Sequence, residues 1–160
     1  MKTMRNKLAK RRSIGSILLA GWALLMTLIA LTNLTDLLYS FGWISWPFRS
    51  GNVDYLTKVT SAYVSDKALS QWLLGVIVVG QFVIVAMLWR SARSWKLNKP
   101  SSARNARAAL GLLAAQWFVF AISTELFVSY RVLPDTKDFM LWLTATLATL
   151  LVVDLVSDPD

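Results

Sequence analysis

The chain has 160 residues, 56% of them hydrophobic, with a mean hydropathy of +0.50 and a formal net charge of +8. It contains no Cys and no His, which excludes disulfides, thiol chemistry, Cys/His zinc sites and a His-ligated haem, and removes the commonest general base. The apolar residues come in long blocks with basic residues beside them, so the positive charge reads as membrane topology and not as a nucleic-acid surface.

Residues 1–12 carry six basic side chains (Lys2, Arg5, Lys7, Lys10, Arg11, Arg12) and no acid. Ser13 suits a helix N-cap. The first apolar block follows at about 14–34. At roughly 20 residues it exceeds the ~7–15 of a signal-peptide core and is long enough for a ~30 Å hydrocarbon layer, so it is expected to be an uncleaved anchor.

The connection at 35–67 is the longest, and its charges cancel: Asp36, Asp54 and Asp66 against Arg49, Lys58 and Lys67. It is rich in aromatics. Trp43 and Trp46 are expected at the membrane–water interface, where a ring and its polar edge are both satisfied. Arg49-Ser50-Gly51-Asn52 reads as a turn. Val53, Leu56, Thr60 and Tyr63 then recur at helical spacing, which predicts a short interfacial helix lying on the membrane or capping the bundle.

The second block is expected at about 68–89, with Ser65 and Asp66 suited to its N-terminus. The basic connection 90–107 carries Arg90, Arg93, Lys96, Lys99, Arg104 and Arg107 and no acid. The third block is expected at about 108–130 and the fourth at about 138–156. Two short, strongly basic segments place the N-terminus and the 90–107 connection in the cytoplasm by the positive-inside rule. Four spans then return the C-terminus to the same side. The expected fold is therefore all-α: a single polytopic membrane domain, a four-transmembrane-helix bundle with an interfacial helix in its first outer loop.

Few residues could carry chemistry. Ionisable side chains within a span mark function by default, and Glu125 in the third block is the sharpest candidate. It could be a proton or cation site. The favoured reading is a structural polar rim with Asn33, Asp36 and Arg131, since Asn33 and Asp36 share a helix face and Arg131 lies just beyond the same interface. Gln81 and Gln116 lie deeper and are expected to hydrogen-bond across helices. Gln116 and Glu125 are nine residues apart, on roughly opposite faces at 100° per residue. Asp154, near the inner end of the fourth block, is expected to pair with Arg90 or Arg107. Gly111 and Ala115 fit the small-xxx-small pattern and are expected to pack within the chain. Asn33-Leu34-Thr35 matches the glycosylation acceptor but abuts the membrane. Nucleophile motifs, Gly-rich phosphate loops and carboxylate pairs at catalytic spacing are absent from the sequence, and no cofactor or metal is expected.

Four stretches carry a resemblance: Asn33-Leu34-Thr35-Asp36 leaving the first block, SDKALSQWLLGVIVVGQ (65–81), STELFVSYR (123–131) and the final Val156-Ser157-Asp158-Pro159-Asp160. In these the chain resembles a bacterial family of predicted small integral membrane proteins of unknown function. The resemblance implies four spans and a long first outer loop, with an acid often at the position of Gln81 and a Gly-Glu-Trp type run around Glu125. Here the acid is kept at Glu125 alone.

Two functions fit. One is a non-catalytic accessory or assembly subunit of a larger complex in the bacterial inner membrane, not an enzyme. Its partners would be the lipid bilayer, other membrane subunits and anionic headgroups on the cytoplasmic face. The other is a small oligomeric transporter or channel using Glu125 and Gln116.

Overall fold

The structure is a computed structural model that describes residues 2–61, 63–64, 66–97, 101–126 and 136–157, with side chains described from Ser13 in the first helix and Lys137 in the last. The described residues form five helices: α1 (Lys2–Ser40), α2 (Asn52–Thr60), α3 (Lys67–Lys96), α4 (Ser102–Leu126) and α5 (Thr136–Ser157). Four of them, α2 excepted, are long and apolar enough to cross a membrane. The chain is thus an all-helical, multi-pass bundle.

The helices outrun their apolar blocks. α1 is continuous from Lys2, so Ser13 sits inside it and does not cap it. At 1.5 Å per residue its 39 residues extend about 58 Å, nearly twice the hydrocarbon thickness. α4 begins at Ser102, six residues before the third apolar block. Helix propensity and charge repulsion do not stop a helix at a membrane edge, whereas capping does. Asp66 provides such a stop, accepting from the Ala68 amide at 2.8 Å to start α3.

α1 packs on α3, α3 on α4, α4 on α5, and α5 closes against α1. This ring sets α1 and α4 on one diagonal and α3 and α5 on the other. Its core is one apolar cluster that includes Leu19, Met26, Leu88, Leu110, Leu113 and Val153, all fully buried. Rings tie α5 to its neighbours. Trp142 stacks on Trp117 at 6.0 Å and meets Trp22 edge-on at 6.0 Å, while the Trp22 indole donates to Thr149 Oγ1 at 2.9 Å. At the end of the bundle bearing the basic connection, α1 and α3 approach closely at Gly15. A Cβ on Gly15 would fall inside the buried Trp95 ring.

The small-residue pair lies elsewhere. Gly111 and Ala115 are exposed, and nothing stands within 4 Å of a Cβ built on Gly111. They face outward from the bundle, so the expectation that they pack within the chain fails. The core of α4 is instead Ala106, Ala109, Leu110, Leu113 and Trp117.

Candidate functional site: a polar node beneath the aromatic loop

The segment between α1 and α3 does not lie flat at the helix ends. After Ser40 the backbone turns back along α1. The Thr35 hydroxyl bonds to the Phe48 carbonyl, and the Ser50 amide bonds to the Thr32 carbonyl at 3.2 Å. Gly51, at φ 77°, reverses the chain, a left-handed conformation that costs glycine little. α2 then climbs back beside α3, with Val53 against Leu74 and Val78 and with Leu34, Leu37 and Leu56 around them. α2 is thus a packed element of the bundle, with Val53, Val59 and Thr60 buried, and it ends before Tyr63. The Tyr63 hydroxyl donates instead to the Leu126 carbonyl of α4 at 3.2 Å.

At the bottom of this fold-back lies a cluster of buried polar side chains. Asn33 donates to Gln81 Oε1 at 2.9 Å and accepts from Asn52 Nδ2 at 2.7 Å. One asparagine therefore joins α1, α2 and α3. Gln81 is midway along α3, about 21 Å from Lys67, so the turn at 50–52 reaches the middle of that helix. Nearer the loop end, Gln71 Nε2 donates to the Ser40 carbonyl and hydroxyl, both at 3.1 Å.

Asp36, 1% exposed, holds the start of α2. That helix has no side-chain cap of its own. Asp36 Oδ2 accepts from the Val53 amide at 2.8 Å, so α1 supplies the cap from another element. A carboxylate at a helix N-terminus satisfies a backbone donor and meets the positive end of the helix dipole. The other carboxylate oxygen has no hydrogen bond but lies 3.5 Å from the Arg49 guanidinium. Arg49 also approaches Asp54 at 3.7 Å and lies 4.1 Å above the Tyr39 ring. Tyr55, on the same short helix, has its phenol pushed up to about 12 by burial.

Of the four residues read as a rim, Asn33 and Asp36 come together here, with Arg49, Asn52 and Gln81 as their partners. Glu125 is exposed on α4, the helix diagonal to α1, and Arg131 lies outside the described residues. Gln81 bonds across helices as its depth suggested. Gln116 does not: its Nε2 is buried with no acceptor, because the face of α3 opposite it is apolar. Asp154 accepts from Arg107 Nε at 2.7 Å, with both side chains about half exposed. Trp43 and Trp46 are 73% and 63% exposed.

Arg49 and Asn52, turn residues by their sequence pattern, are members of the node. No local signal marks them, because Ser50, Gly51 and Asn52 are all residue types that cap helices. Among the described residues no group of three His, Cys, Asp or Glu side chains could hold a metal. Comparison with family models, curated proteins and solved structures finds no match.

Proposed function

We propose that the chain is a non-catalytic accessory or assembly subunit of a larger membrane complex. In this reading it sits in the bacterial inner membrane with both termini cytoplasmic and the aromatic loop outside. One observation carries it. The loop is fastened through Thr35, Asp36, Ser50 and Asn52, while Phe41, Trp43, Trp46 and Phe48 are left exposed. Buried hydrogen bonds are spent on holding a backbone in place, and the side chains left outside are the rigid aromatics that anchor protein interfaces.

The transport reading finds less support. Asn33, Asn52 and Gln81 are occupied by one another, and Gln116 and Glu125 lie on opposite faces of α4. The test is mild-detergent purification of the full chain with intact-mass analysis. A stoichiometric partner is expected, lost on Trp43→Ala with Trp46→Ala while thermal stability holds. A clean monomer or homo-oligomer contradicts the subunit reading. Loss of ion flux in Glu125→Gln, with assembly intact, favours transport.

A further inference from the structure

Between α3 and α4, on the surface of the bundle, runs an apolar groove of about 430 Å³. Gly80 forms its wall on α3, where nothing lies within 4 Å of a built Cβ. Val83, Leu112, Ala115 and Val119, all exposed, form its rim, the less exposed Ile84 and Phe120 lie deeper, and the Gln116 side chain is the one polar group in the lining. A groove of this kind in a membrane bundle is filled by a lipid tail or by another helix.

The charge at its basic end decides between them. Arg90 lies seven residues, two turns, from Val83, and Arg104 lies eleven residues, three turns, from Ala115. Each arginine therefore lies on the outer side of its helix, in line with the exposed rim residue of its groove wall, Val83 on α3 and Ala115 on α4. The helices are antiparallel, and the groove centres on Gly80 and Gln116. Arg90 is about 15 Å from Gly80 along α3 and Arg104 about 18 Å from Gln116 along α4. The two cations thus stand within about 3 Å of one level. Both are exposed, and neither has an acid partner among the described residues, unlike Arg107, which holds Asp154. The distance from the cations to the centre of the groove is about half of a ~30 Å hydrocarbon layer, the depth of one leaflet.

We propose that this is a binding site for one anionic phospholipid, with its phosphate between Arg90 and Arg104 and an acyl chain in the α3–α4 groove. A partner helix would fill the groove without needing two exposed guanidinium groups at headgroup depth, neither with an acid partner among the described residues. The site is independent of the subunit reading, and it holds whichever side of the membrane the basic end faces.

The test is native mass spectrometry of the detergent-purified full chain, titrated with phosphatidylglycerol and with phosphatidylcholine of the same acyl chains. One phosphatidylglycerol is expected to be retained in preference. Arg90→Gln with Arg104→Gln should reduce that preference by about tenfold or more. Lys58→Gln, an exposed cation on α2, should leave it unchanged. Gly80→Leu, which fills the groove and leaves the arginines in place, should weaken retention of both lipids. Thermal melts of each variant report folding separately. Equal retention of the two lipids, or an equal loss in Lys58→Gln, would overturn the proposal. So would an unchanged preference in the folded double arginine variant, or a protein helix cross-linking into the groove at position 80.

Discussion

The two sides of the bundle are held together by different physics. Where α1, α2 and α3 meet, buried polar groups are matched donor to acceptor: Asn33 with Gln81 and Asn52, Asp36 with the Val53 amide. Where α4 meets α5, rings and aliphatic side chains pack together, Trp117 on Trp142 and Phe120 on Phe139 at 5.6 Å beside Leu113 and Val153, with the half-exposed Arg107–Asp154 pair at the basic end. Ring contacts are tolerant of small rotations and suit two antiparallel rods. Hydrogen bonds between particular atoms fix a non-helical backbone in one place, which a re-entering turn requires. Irregular backbone at this depth is stable only where its polar groups are satisfied by protein or water. Asp36, Thr35 and the Thr32 carbonyl satisfy three of them here.

That contrast ranks the effects of substitution. The largest is expected at Asp36→Ala, which uncaps α2 and removes the carboxylate facing Arg49. A lost hydrogen bond to a buried charged group costs about 2–3 kcal/mol, read as a lower thermal midpoint in detergent and as proteolysis at 41–60. Gln81→Leu is expected to cost about 1 kcal/mol, since it orphans one Asn33 donor but leaves the Asn52 bond intact. Double-mutant cycles with Asn33→Leu should recover part of that loss. Arg107→Gln breaks a half-exposed pair and should shift stability by less than about 1 kcal/mol, with the small effect disappearing at high salt.

The parts legible in the sequence follow the same division. Block hydrophobicity and Lys/Arg placement mark four long helices, and the period of Val53, Leu56 and Thr60 marks the short one. Those are local patterns. The meeting of Asn33 with Asn52 and Gln81 depends on pairings 19 and 48 residues apart, which no local spacing encodes. Glu125 drew attention because an acid in an apolar block is expensive. It stands in the last turn of α4, and the cost of an acid falls toward the end of a span. Asp36 reads from the sequence as one member of a polar rim, and among the described residues it is the acid that the fold buries.

The central claim is that the first long connection folds back so that position 52 meets position 33 deep beside α3. The chain has no native cysteine, so the claim is directly measurable. Asn33→Cys with Asn52→Cys, in the full chain in its membrane, should be bridged by oxidant or a short thiol cross-linker, and the bridged pair should resist membrane-impermeant maleimide. Asn33→Cys with Glu125→Cys should remain unbridged under the same conditions. If the 33–125 pair bridges and position 52 instead labels freely from the aqueous phase, the connection does not re-enter and the account of the node is wrong.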